Sequence, residues 1–557
     1  MGIVPGLGLA LVSFPSASIR RGNDSSRVVI DYEYHINGDI AQEFANYWVT
    51  SGDTEFFNAS LFPIYNSIAT FYSEVVTKNG SQYTLTNMTD PDEYANGVDN
   101  GGFTMPLIAD TLTNANIFRQ MFGMPANSTF ADIAANVFIS RDAGAGIIDE
   151  YTGMNGSISV KQADVVLDTF PLNYQNNYTA QDSLNDLQYY AGKQSLNGPG
   201  MTYAIFSIVA SAVETSGCAS YTYQQYSEQP YARAPWFQFS EQLTDDFTAN
   251  GGTHPAYPFL TGHGGANQVT IFGYLGLRLT PDFTLRLDPS LPPQIPALKY
   301  RTFYWQGWPI SAVANRTHTT VSRLTQPFTT ANMTFANASI PVQIGNDNST
   351  TYRLIPNGTL TLQNRMIANR STVAGNIAQC LPVGSPNDFQ PGQFPISAVD
   401  GASSTKWQPN LSNISQSITV KLATQPYQPI TAFYFDWAQN PPTNITVLFH
   451  NTSTPDSSAV KAVSQNVDVS VPYNTTEINL ITPYMSNTTN ATLSPAVWSG
   501  AYATLMIQGN QATNLTNSTG ATVAEWAILG ENLTPLPVNM TARKREIDGS
   551  VRRMLRE

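Results

Sequence analysis

Apolar residues recur at three- and four-residue steps through the first half of the chain and at two-residue steps through much of the second. The first spacing lines one face of a helix, and the second lines one face of a strand. Ile36, Ile40, Phe44 and Tyr47-Trp48 predict a helix from Tyr34 to about Asn46, stopped by Thr50-Ser51-Gly52-Asp53. Phe56, Leu61, Ile64, Ile68, Phe71 and Val75 predict a second. A third runs from about Phe103 to Phe122, with Leu107, Ile108, Leu112, Ile117 and Met121 on one face. A fourth starts from a Ser128-Thr129 cap and buries Ile133, Val137 and Phe138. Ser159 to Leu167 reads as a short helix with a snorkelling lysine. Helices resume at Ser183–Tyr190, Met201 to Val213, Tyr221 to Tyr226 and Val269 to Tyr274. After Leu277 the period becomes two: Phe283–Leu287 and Thr302–Trp305 read as strands of a small β-domain. A Pro/Gly linker ends near Gln393, and Ser417–Leu422, Ala432–Trp437 and Asn444–Phe449 are strands at sandwich spacing.

Composition narrows the function classes. Hydrophobic residues make up 42% of the 557, ample for a large core divided among domains. The net charge of -13 repels phosphate backbones, which argues against a nucleic-acid partner. About two dozen Asn-x-Ser/Thr sites, among them Asn58, Asn177, Asn332 and Asn444, point to a glycosylated protein of the secretory route. Met1–Val12 is apolar and Ser16-Ala17-Ser18 mimics a cleavage site, yet no positive n-region precedes it. A signal peptide and a missing N-terminal portion are both open readings. No stretch approaches the roughly twenty apolar residues of a membrane span. The two cysteines, Cys218 and Cys380, lie in different segments, which leaves their pairing open. The five histidines are scattered without metal-ligand spacing, so neither a metal nor another cofactor is expected.

Charged residues are only 12% of the chain, yet Thr89 to Asn100 holds Asp90, Asp92, Glu93 and Asp99. Pro91 and Gly97 keep this stretch irregular between two helices. By local composition alone it reads first as an Asp-rich solvated turn. A second acid, Glu241, follows Trp236, Phe237 and Phe239, an aromatic setting expected to strip its water and raise its pKa. Two acids on a helical scaffold suit glycoside hydrolysis, one protonating the leaving oxygen and the other activating water.

Four motifs occur in order: Tyr34-His35-Ile36-Asn37-Gly38-Asp39, Asp90-Pro91-Asp92-Glu93-Tyr94, Val160-Lys161-Gln162-Ala163-Asp164 and Phe259-Leu260-Thr261-Gly262-His263-Gly264-Gly265. Together they resemble glycoside hydrolase family 65, and within it the fungal acid trehalases. The resemblance covers about residues 28 to 366. A weaker one, through Ala398-Val399-Asp400-Gly401 and Thr405-Lys406-Trp407, relates the C-terminal part to discoidin-like, galactose-binding-type sandwiches. These likenesses imply an incomplete all-α (α/α)6 toroid at 28–276, a small β-domain at 277–366, a linker at 367–393 and a discoidin-like sandwich at 394–535. Residues 1–27 are left unassigned, and 536–557 form a basic tail. The resemblance implies inverting hydrolysis of α,α-trehalose, with Glu93 as general acid and Glu241 as general base. Lys161, Gln162 and His263 are the implied sugar-binding residues.

One departure qualifies this. The family places a sandwich domain and several helices, with a glucose-holding Phe-Trp-Asp segment, before the point matching Asp31. Seven to nine helices are legible here where a closed barrel needs twelve. The chain is therefore expected to be the C-terminal part of such an enzyme, completed by an N-terminal fragment or a second chain, and located outside the cell, in the wall or periplasmic space, or in the vacuole. Action on another glucosyl disaccharide, by water or by phosphate, and a non-catalytic sugar-binding glycoprotein are the alternatives.

Overall fold

The computed structural model describes residues 32–214, 217–250, 252, 254–365, 371–422, 427–469, 481, 486–512 and 519–530. The unassigned segment 1–27 and the basic tail 536–557 lie outside the described residues.

The helical half begins with His35–Ser51. A short turn at Thr54–Phe56, capped by the Asp53 side chain, and a π-helical stretch at Phe57–Leu61 lead into Phe62–Val75, which carries Pro63 in its first turn. Thr104–Met121 and Ser128–Asn136 follow. The cap of the latter is Asn127, whose side chain accepts from Thr129 and Phe130 N–H, rather than the expected Ser128-Thr129. Ala180–Ala191 opens on a reciprocal Thr179/Asp182 capping box. Thr202–Val213, Ala219–Glu228 and Leu260–Gln268 complete the set, the last running on into a π-helical turn at Val269–Tyr274. No described helix is long and apolar enough to cross a membrane.

The core-facing side of the early helices differs from the simple periodic reading. Phe57, Phe62, Tyr65, Ile68, Ala69 and Tyr72 are buried, whereas Phe56, Ile64 and Phe71 are exposed. The π-helical stretch Phe57–Leu61 keeps Phe56 and the Phe62–Val75 helix from sharing one α-helical phase, and within that helix Ile68 stays on the buried face with Tyr65, Ala69 and Tyr72. Phe118 is the hub of the inward face: its ring lies 4.7 Å from Phe57, 5.4 Å from Tyr65 and 5.5 Å from Trp48.

The same core continues into a β-region. One sheet orders Ala297–Lys299, Trp308–Asn315, His318–Arg323 and Thr359–Gln363, with Phe303–Trp305 pairing to Trp308–Asn315. A second joins Tyr352–Leu354, Ile340–Ile344 and Leu285–Leu287. The hairpin tip at Gln306-Gly307 pins the region to the first helix, donating to Val49 O (2.7 Å) and Thr50 O (2.8 Å).

The C-terminal unit has its own core, built on Trp407, Trp437, Trp526, Phe433 and Phe435 between two antiparallel sheets. One orders Val383–Gly384, Gln416–Lys421, Tyr502–Gln508, Asn444–His450 and Val460–Asn466; the other orders Thr488–Trp498, Pro429–Asp436 and Glu525–Gly530. The two cysteines that sequence left open are joined: Cys218 and Cys380 form a disulfide, with Cα atoms 5.9 Å apart, that ties the helical half to this unit. Cys218 N–H donates to Asp400 O beside it (2.8 Å).

Three acids are buried at this junction. Asp400 accepts from Thr405 Oγ and Ala402 N–H, and burial pushes it up to about 7. Burial also holds Glu214 and Glu525 well above the ordinary carboxylate range, each raised further by the charge of Asp400. Such groups keep their protons in the fold while the unfolded chain, titrating at about 4, has lost them. Their contribution is therefore fully present below that value and is lost as the pH rises through the folded values. The melting temperature is expected to drop by several degrees between about pH 5 and about pH 7.5, and Asp400→Asn to flatten that slope, as read by calorimetry.

Candidate active site

The site is built from the Asp90–Tyr94 loop, which joins the short strands Met88–Thr89 and Asn96–Val98. Each acid in it has a separate job. Asp90 caps the Thr104–Met121 helix, its Oδ1 accepting from Thr104 Oγ (2.5 Å) and Thr104 N–H (3.2 Å). Burial pushes Asp90 up, and these donors oppose that shift. The approach needs a glycine: a Cβ on Gly101 would come within 2.3 Å of the Asp90 carboxylate.

Asp92 turns inward and is 1% exposed. Its N–H donates to Asp164 Oδ2 (2.8 Å), and its Oδ1 accepts from Lys161 N–H (2.9 Å) and Tyr94 N–H (3.1 Å). Glu93 turns outward and pairs with Lys161 Nζ at 2.5 Å. Gln162 is buried, and its Nε2 donates to Pro91 O. The structure thus brings Glu93, Lys161 and Gln162 together, although nearly seventy positions separate the two segments. Here the expected short helix is absent. Residues 159–164 are irregular, a 3₁₀ turn occupies only Val165–Asp168, and Lys161 is an ion-pair partner of Glu93 rather than a snorkelling side chain.

Glu241 and His263 belong to a neighbouring pair of segments. Gly198 approaches Lys161 so closely that a Cβ would lie 2.2 Å from its carbonyl oxygen, and Gly200 N–H donates to Glu241 O (2.7 Å). The 197–200 loop therefore links the Lys161 segment to the Glu241 segment. Glu241 is half-buried, and its Oε2 accepts from Ala256 N–H (2.7 Å). Among the described residues, Glu93 and Glu241 share no hydrogen bond or ion pair. The expected aromatic shield over Glu241 is not formed: Trp236 is 78% and Phe237 68% exposed, because the 232–239 hairpin turns them to solvent, and only Phe239 packs inward. His263 sits against the Phe239 ring, and its Nε2 accepts from Phe239 N–H (3.1 Å). That bond fixes the backbone just before Glu241.

Sequence reasoning passed over two acids here. Glu150 and Asp164 are 1% and 2% exposed beneath the loop. Burial pushes Glu150 well above its ordinary value, helped by the charge of Asp92, and pushes Asp164 well up, helped by Asp90 and Glu150. The available signal was an acid set inside an apolar run, Val160 to Leu167, in a chain poor in charge. Beside this cluster a cavity of about 80 Å³ opens between Glu43 and Asn46 of the first helix, Gln162, Thr202, Gln268 and Arg278.

Residues 12–155 match the glycosyl hydrolase family 65 central catalytic domain, and residues 277–331 match the C-terminal domain of the same family. The chain is similar to the cell wall acid trehalase of Arthroderma benhamiae, at 57% identity over 90% of this chain and 50% of that protein. It is similar to the acid trehalase of Emericella nidulans at 53% identity over 93% of this chain and 51% of that one. A cell wall acid trehalase of Candida albicans matches at 32% identity over 79% of this chain and 42% of its own length. The chain spans about half the length of the curated relatives it matches. Two stretches of the chain thus match the central catalytic and the C-terminal domain of glycosyl hydrolase family 65, in that order.

Proposed function

We propose that this chain carries the catalytic acid and base of an inverting α,α-trehalose hydrolase. The observation that carries the reading is the Glu93–Lys161 pair, set on a loop braced by buried acids, in a chain more than half identical to two acid trehalases. Glu93 delivers a proton to the bridging oxygen, while Glu241 draws one from the water that attacks the anomeric carbon from the opposite face. For Glu93 to donate, its carboxyl must part from the Lys161 ammonium. The hydroxyls of a bound glucose are the alternative partners for that ammonium, so sugar binding and arming of the acid are coupled. Gln162 and His263 complete the sugar contacts. A carboxylate at Glu241 repels phosphate and favours water as the acceptor. The names of the relatives support a place outside the cell, in the wall or periplasmic space.

The same reading makes the helical half part of an (α/α)6 toroid, and the C-terminal unit a discoidin-like, galactose-binding-type sandwich. Further helices, from an N-terminal fragment or a second chain, complete the toroid. Two features support this. Ile40, Ile64 and Phe71 leave apolar surface exposed on the first helices, and the cavity between the first and last helices opens against Gln162.

Glu93→Gln and Glu241→Gln are each expected to cut turnover by at least about a hundredfold, with proton NMR of the unmutated reaction showing β-glucose as the first new anomer. Full turnover in either variant, or α-glucose alone, defeats the assignment. A panel of glucosyl disaccharides, with and without phosphate, separates trehalose hydrolysis from its alternatives. The chain expressed alone is expected to hydrolyse trehalose far more slowly than when joined to the N-terminal half of the Emericella nidulans relative; equal rates would mean that no added helices are needed.

A further inference from the structure

The loop bearing Glu93 stands on two acids that the proposed chemistry does not use. Asp92 and Glu150 are each 1% exposed and come from different segments. Asp92 Oδ1 is already engaged by Lys161 and Tyr94 N–H. Among the described residues, Asp92 Oδ2 and Glu150 Oε1 have no backbone or side-chain N–H or hydroxyl donor, and the two carboxyls lie within hydrogen-bonding reach of each other. Two carboxyls buried side by side are stable when one holds a proton and donates it to the other.

We propose that Asp92 and Glu150 share a single proton, and that this carboxyl–carboxylate hydrogen bond positions the catalytic loop: it fixes Asp92, and Asp92 sets Lys161 and Glu93 through the two N–H groups it accepts. The inference rests on reading Glu93 as the general acid. Burial pushes Asp92 up to about 6 and Glu150 well above its ordinary value, so a proton is available to the pair under acidic conditions. The surroundings favour a single charge. Asp90 and Asp164 face Glu150 and add negative potential, while Lys161 is the cation that favours charge on Asp92. Tyr151, Tyr189 and Tyr190 also lie in the field of Glu150; all three are raised and stay neutral through the range that matters. Once the shared proton leaves, two buried carboxylates repel, and Asp92 no longer holds both N–H groups in place. The pair is thus a positioning device with a built-in alkaline limit.

The pH dependence of kcat and KM for the trehalose-hydrolysing polypeptide tests this. Glu150→Gln supplies a donor that does not titrate. It is expected to keep kcat within about fivefold at about pH 5 and to move the alkaline limb up by at least about one unit. Glu150→Ala removes the partner and is expected to lower kcat by about tenfold or more at every pH, with a smaller change in KM. If Glu150→Gln folds poorly, Asp92→Asn makes the same test from the other side, since its Nδ2 can donate to Glu150 while its Oδ1 still accepts both N–H groups. An alkaline limb unmoved by the amide variant, or an amide variant as impaired as Glu150→Ala, overturns the proposal while an inactive Glu93→Gln still upholds the chemistry. Full turnover in Glu93→Gln would instead remove the general-acid reading on which the proposal stands.

Discussion

The arrangement at Asp90–Tyr94 depends on carboxyls that have lost their water. An ionised carboxylate in a dry interior costs far more than one hydrogen bond repays, so each must gather donors or keep a proton. Asp90 gathers donors at the start of the Thr104–Met121 helix. Asp92 gathers two backbone N–H groups, and its carboxyl lies beside that of Glu150. Asp164 takes the Asp92 N–H. The residue between these commitments, Glu93, is left with its backbone held on both sides and its side chain directed out to Lys161.

The proposed acid and the proposed base are therefore supported differently. Glu93 rides on a loop braced from three segments, those of Thr104, of Glu150, and of Lys161 with Asp164. Glu241 rides on an irregular stretch whose tethers are backbone bonds to Gly200 and Ala256, with His263 holding the residue two places before it. Under the proposed roles, a firmly braced acid and a base with fewer tethers suit a reaction in which the proton donor is aimed at one oxygen while water is drawn in from the side.

Much of the secondary structure was legible because its signals are local. The stop after His35–Ser51, the start of Thr104–Met121 and the alternation of the C-terminal strands are all written within a few residues. The errors were also local in cause. A π-helical turn separates Phe56 from the Phe62–Val75 helix, so a single α-helical period does not run through both. Trp236 and Phe237 adjoin Glu241 in sequence, but a hairpin turns them away from it. Adjacency along the chain says little about which ring desolvates which acid.

Sequence by itself determined that an acid-dense loop sits between helices, that Lys161-Gln162 falls in an apolar run, and that two cysteines exist to be joined. Side-chain type, glycine placement and hydrophobic period carry that information within short windows. Only the tertiary structure decided that Lys161 meets Glu93, that Asp92 rests against Glu150, and that Cys218 finds Cys380. Those contacts join segments far apart in the chain, and their geometry follows from how whole helices pack.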